Sequence, residues 1–184
     1  RLTVALQIAT GNFGRRGGST GSMNNLLPPL KVGQLGVPGI PGLPEVPAVR
    51  WPEAILHGRS GGYPSDIHAV YNLGSNLLNQ GSDIHRNIAA FEKLDFAVSH
   101  QLFMTPTARY CDVVFPSTSS LEKEDIGLPW LGNYILYKSQ AVSPLGEARS
   151  DYDALWALAD RMGFGAEYSE GHTSAEWVAQ FIEQ

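Results

Sequence analysis

Apolar residues recur at spacings of three and four over residues 2–10 (Leu2, Ala5, Leu6, Ala9), which predicts a helix. Gly11-Asn12 ends it, because both residue types tolerate the left-handed conformation of a helix terminus. A loop without hydrophobic period follows, from Gly14 to Gly21. Residues 28–60 form a Pro/Gly-rich stretch whose first half excludes a regular helix or central strand. Within it, Pro52–His57 suits one or two helical turns with Pro52 in the first turn, broken by Gly61-Gly62-Tyr63-Pro64.

Beyond residue 66 the pattern changes. Ile67–Leu73 predicts a buried strand, Gly74–Gly81 a turn-rich loop, and Asp83–Lys93 a helix with Ser82 or Asp83 as cap. Phe96–Ser99 predicts a second strand and Thr105–Tyr110 a short helix with Thr105 as cap and Pro106 first. Asp112–Phe115 predicts a third strand, closed by Pro116. Strands alternating with helices at this spacing predict an α/β fold with a mainly parallel sheet. Tyr134–Val142 is a candidate strand. Asp151–Met162 and Ser174–Ile182 are candidate helices within a C-terminal helical part, residues 143–184, and Leu155 and Trp156 read as core.

The 184 residues are enough for a single domain, and 43% hydrophobic with 17% charged residues is a globular composition. A net charge of −5 gives no basic surface for a nucleic-acid backbone. One cysteine, Cys111, excludes an intrachain disulfide and a Cys-based metal cluster, and the five histidines show no metal-ligand spacing. There is no P-loop and no GxSxG elbow. No apolar run reaches the roughly 18 residues of a membrane span. The chain opens on Arg1 and stops inside a predicted helix, which reads as a piece of a larger protein.

Ligands of open parallel sheets bind beyond the carboxyl ends of the strands. Two such ends carry polar, turn-forming residues. The first is Gly74-Ser75-Asn76 with Asn79 and Asp83, ahead of a helix start whose free N–H groups suit a phosphate. The second is His100-Gln101-Leu102-Phe103-Met104-Thr105-Pro106-Thr107. Each alone also reads as an ordinary strand-to-helix connection with capping residues. Together they point to one shared nucleotide pocket. Glu122, Glu124 and Asp125 with Lys123 read as a solvated turn.

Several segments resemble the molybdopterin oxidoreductase superfamily, specifically its dimethyl sulfoxide reductase family of bis-molybdopterin guanine dinucleotide enzymes. They are Ala9–Gly14 with Gly17-Gly18, Gly74-Ser75-Asn76, His100–Tyr110, Asp112–Pro116, Glu122–Ile126, Ala141–Pro144, Gly146–Ala148 and Ser150–Asp153. They occur in the family's order and cover most of the chain.

The resemblance implies a three-layer, Rossmann-like domain with helices on both faces of the sheet, holding the guanosine end of one molybdopterin guanine dinucleotide. Carried over by position, Gly74, Ser75, Asn76, Asn79 and Asp83 would contact sugar or phosphate. His100, Gln101, Phe103, Thr105 and Thr107 would line the nucleotide. Gln101 departs from the Asp common in relatives, so its NH₂ could meet guanine O6 or a phosphate instead of a carboxylate meeting guanine N1–H and N2–H₂. Cys111 stands where relatives often have Ala.

No segment matches the one that ligates the metal, so molybdenum or tungsten would be held by the parent, and this piece alone is expected to be inactive. The resemblance further implies other domains of a catalytic subunit and an iron–sulfur electron-transfer subunit as partners. It also implies a periplasmic or membrane-associated parent. The 28–60 loop is expected to wrap a neighbouring domain. The alternatives are a free-standing nucleotide-binding module and a protein-interaction domain without redox role.

Overall fold

The structure, a computed structural model, describes residues 2–18, 42, 44–127 and 134–183. The chain divides into two compact units, residues 1–32 with 126–136 and residues 33–125 with 137–184. The first contains α1 (Leu2–Ala9). Most of the Pro/Gly stretch from 28 to 43 lies outside the described residues.

The second unit is built on a three-stranded, all-parallel sheet of β1 (Ala69–Leu73), β2 (Phe96–Gln101) and β3 (Val113–Pro116), in that order. Asn72 pairs with Ser99 and Leu73 with His100, while His100 pairs with Phe115. Side chains alternate along a strand, so Ala97 and Ser99 face one side of β2 and Val98 and His100 the other. On the first side Ala97 packs with Leu78 and Phe91, the centre of the core, and Trp51, Leu77, Ile88, Leu94 and Cys111 close around them. On the other side His100 meets Asp151 at the start of α5 (Asp151–Arg161). Chain elements therefore stand on both faces of the central strand.

Three expectations are corrected. Gly74–Gly81 contains a helix, α3 (Leu77–Gln80), because Leu78 is drawn under the sheet end to 1% exposure. Full burial of a leucine is worth about 1.5–3 kcal/mol, enough to order one turn among turn-forming residues. β1 is not buried: it pairs on one side only, and Tyr71 and Leu73 remain exposed. The strand foreseen over 134–142 is three residues long, β5 (Leu136–Lys138), and forms a separate two-stranded sheet with β4 (Asp125–Gly127).

The helix ends follow local chemistry. α2 (Trp51–His57) carries Pro52 in its first turn, and Lys93 Nζ caps its far end by donating to the carbonyls of Ile55 (3.0 Å) and Leu56 (2.7 Å). α4 (Ile84–Glu92) starts at Asp83, whose carboxylate accepts the Arg86 N–H. Asp83 has φ 59°, a conformation that Asp tolerates better than most side chains. α5 has Ser150 as cap, two acids in its first turn and Arg161 in its last, which suits the helix dipole. After α6 (Gly165–Ser169), α7 (Ser174–Glu183) opens with a reciprocal pair: Glu176 accepts the Thr173 N–H at 2.7 Å and Thr173 accepts the Glu176 N–H.

Candidate functional site

The parallel register puts the carboxyl ends of β1 and β2 side by side, and two sets of hydrogen bonds join the loops that leave them. The Thr107 hydroxyl donates to Asn76 Oδ1 over 2.8 Å and accepts the Leu78 N–H at 3.1 Å. Gln101 Nε2 donates to the Ser75 carbonyl (3.0 Å) and to Ser99 Oγ (2.8 Å). Asn72 Nδ2 reaches the same two acceptors, each at 2.8 Å. The two loops foreseen as one pocket thus form one continuous rim.

The rim sorts the candidate residues. Gly74, Asn79, Asp83 and Phe103 are exposed, and Ser75, Asn76, Gln101 and Thr105 are half-buried. Gly74 has φ 63° and open space where a Cβ would sit, so the backbone is accessible there. His100 and Thr107, by contrast, are 2% and 0% exposed and are held by partners within the chain. Thr105 accepts the Ala108 N–H at 3.2 Å, and the helix expected after it is a single 3-10 turn, Ala108–Tyr110. Packing of Ala108 beneath the sheet end and the start of β3 at Val113 leave no room for a longer one.

Gln101 is more constrained than its sequence suggests. A carbonyl can only accept, so the Ser75 contact fixes the amide nitrogen on that side. Both amide protons are then engaged within the chain, and the Gln101 NH₂ is not free for guanine O6 or a phosphate. What it can offer a ligand is the acceptor Oε1.

On the opposite face of β2 lies a network with no sequence signature. Tyr71 OH and His100 Nε2 are 2.7 Å apart, and His100 Nδ1 is 3.0 Å from Asp151 Oδ1. The Ser117 hydroxyl donates to the same carboxylate oxygen at 2.9 Å. Burial, then the Asp151 charge, push the Tyr71 hydroxyl pKa up, so it stays protonated. The only hint in the sequence is the alternation that places Tyr71 and His100 on one face once the register is known.

Burial, followed by the Asp112 charge, pushes the Cys111 thiol up, partly offset by a hydrogen bond from Ser99. It behaves as a small core-edge residue. Glu122, in the turn expected, also ties two segments: its carboxylate accepts the Ser119 and Leu145 N–H groups, each at 2.8 Å. Trp156, expected in the core, is 43% exposed and lines a cleft of about 720 Å³ between α5 and α7. Among the described residues no group of three His, Cys, Asp or Glu is placed to hold a metal, and no helix is long and apolar enough to cross a membrane.

A parallel sheet whose polar loops converge at the strand ends is the arrangement of an α/β ligand-binding domain. Comparison with known proteins makes this specific. The family described as molybdopterin oxidoreductase matches residues 1–161, and the chain belongs to it. The dimethyl sulfoxide/trimethylamine N-oxide reductase of Cereibacter sphaeroides is 39% identical over 132 residues, covering 70% of this chain and 16% of that protein. Dimethyl sulfoxide reductase DmsA of Haemophilus influenzae is 29% identical over 204 residues, 100% of this chain and 25% of that protein. Among solved structures, acetylene hydratase from Pelobacter acetylenicus aligns with a TM-score of 0.54 and 30% identity, covering 64% of this chain and 16% of its own. The chain therefore spans a quarter or less of these relatives' length and corresponds to an internal domain of larger enzymes.

Proposed function

We propose that the chain is part of the catalytic subunit of a molybdopterin-dependent oxidoreductase acting on a sulfoxide or N-oxide. Its own task is to bind the guanosine-diphosphate part of one molybdopterin guanine dinucleotide in a three-layer, Rossmann-like domain. The observation that carries this reading is the joined rim, in which Gln101 is bonded to Ser75 and Thr107 to Asn76 across adjacent strand ends. Family membership supplies the cofactor class.

The residues suit such a group. Gly74 opens the backbone, Ser75, Asn79 and Thr105 offer small polar side chains, and Gln101 Oε1 is an acceptor for guanine N1–H or N2–H₂. Phe103, at 78% exposure, offers a ring face to a base or sugar. Asn76 contributes its amide, while His100 and Thr107 act as positioning residues from inside. Asp83 holds the start of α4. The cofactor, when bound, supplies a molybdenum or tungsten centre that cycles between oxidation states and moves an oxygen atom or two electrons. The metal ligand and any iron–sulfur partner subunit belong to the remainder of the enzyme.

The test is the amount of guanosine monophosphate released by acid hydrolysis per mole of full-length polypeptide, purified from a host that makes the cofactor. Asn79→Asp combined with Ser75→Asp adds two negative charges to the rim and is expected to cut the yield severely. Undiminished release from that variant, folded as the parent, would overturn the reading. Binding of free GDP by the unaltered protein with no pterin recovered would favour a free-standing nucleotide-binding module.

A further inference from the structure

Ser99 is wholly buried, yet it governs a group at the rim. Its oxygen accepts from Asn72 Nδ2 and from Gln101 Nε2, each at 2.8 Å. The same two nitrogens donate to the Ser75 carbonyl. Asn72 stands opposite Ser99 in the parallel register and is buried too. Two side-chain amides thus spend all their N–H groups on the same two acceptors.

The direction of every bond in this ring is set. The Cys111 thiol donates to the Thr107 carbonyl at 3.3 Å, and the Ser99 hydroxyl donates to the sulfur. A main-chain carbonyl only accepts, so the thiol proton is committed to Thr107 and the sulfur is left to accept. The Ser99 proton is then committed to Cys111, and its lone pairs serve the two amides. The Ser75 carbonyl also only accepts. Gln101 Nε2 therefore sits between two acceptors, and turning the amide over would set Oε1 against both. Asn72 by itself already satisfies the Ser75 carbonyl and the Ser99 oxygen. What the Ser99–Gln101 bond adds is the orientation of Gln101, with nitrogen engaged and Oε1 left as its free group.

We infer that Ser99 is a positioning residue, which through its bond to Gln101 holds Oε1 ready as a fixed acceptor for the nucleotide. This rests on the proposed reading of the rim as a nucleotide site. A long side chain that is mobile in the free protein must be ordered when its ligand binds, and ordering one such side chain weakens a complex about fivefold. Ser99 orders Gln101 beforehand.

Cofactor retention on the full-length polypeptide tests this. Protein from a host that makes the cofactor is diluted, passed over a gel-filtration column at intervals and hydrolysed in acid. The guanosine monophosphate recovered gives the rate of loss. Ser99→Ala is expected to quicken that loss about fivefold, since differences between related complexes fall mainly on dissociation. In a Gln101→Met background, which removes the amide and keeps the length, Ser99→Ala is expected to add nothing. Cys111→Ala, which releases the Ser99 proton, is expected to act in the same direction and to depend on Gln101 in the same way, and it decides the matter if Ser99→Ala does not fold. Loss at the parent rate would overturn the inference. So would an equal quickening in the Gln101→Met background, which is what a merely structural serine would give. Unaltered protein that releases no guanosine monophosphate would overturn the cofactor reading and this inference with it, so the unaltered protein tells the two failures apart.

Discussion

Thr107 and Asn76, 31 residues apart, share a hydrogen bond of 2.8 Å that locks the exit of β1 to the exit of β2. Thr107 is fully buried and its hydroxyl also accepts the buried Leu78 N–H. Thr107→Val keeps the shape, strands the Leu78 N–H and leaves Asn76 Oδ1 only the longer bond from the Thr107 N–H at 3.4 Å. The expected cost is about 1–3 kcal/mol in urea unfolding, with Thr107→Ser close to the parent protein. A valine variant as stable as the parent would mean that this bond does not hold the rim.

The Tyr71–His100–Asp151 chain predicts energetic coupling between residues that do not touch. His100 is buried between Tyr71 OH and the Asp151 carboxylate. In a double-mutant cycle, Tyr71→Phe and Asp151→Asn are expected to couple by at least about 0.5 kcal/mol, the usual lower range for members of one network. Additivity within error would show that the imidazole does not transmit the interaction.

The contrast between these two features shows what the sequence could reveal. The β1–β3 alternation, the capped start of α4 and the polar strand exits were legible, because periodicity and capping are local. So was the adjacency of the two exits, since sheet order constrains it. The Tyr71–His100–Asp151 chain was not legible, because it joins three elements through a register that composition does not encode. α3 was missed for a related reason. Leu77-Leu78 is too short to show helical period, and only the burial of Leu78 beneath the sheet end stabilises the turn. Trp156 was misread because an amphipathic helix shows which side is apolar, not what that side meets.

Gly58 gives a sharper test of local geometry. It has φ 46° and ψ −137° at the end of α2, and a Cβ there would overlap the Asp66 side chain. That same carboxylate accepts the Arg59 N–H at 2.9 Å. Gly58→Ala therefore combines a backbone conformation costing about 1–3 kcal/mol with displacement of a hydrogen-bonded acceptor. Thermal unfolding is expected to shift down clearly. A change within about 0.5 kcal/mol, the range of an unremarkable surface substitution, would place the backbone differently here.

Acid should loosen the turn that Glu122 holds. Hydrogen bonds from Ser119, foremost, and from Leu145 lower the Glu122 carboxyl below its ordinary value of 4.5. In the unfolded chain those bonds are gone and the ordinary value returns. The folded form is thus favoured above pH 4.5, and that advantage disappears as pH falls through the depressed folded value, because the unfolded chain binds the proton first. Glu176, lowered chiefly by the Thr173 N–H, acts in the same window, so the acid loss is shared. Glu122→Gln removes one of the two contributions and leaves a single oxygen to serve two N–H donors. The variant is expected to be less stable than the parent at pH 7 and to lose less on acidification to pH 3. Thermal midpoints across that range decide it: parallel curves for the two proteins would show that the Ser119 and Leu145 bonds do not depend on the Glu122 charge.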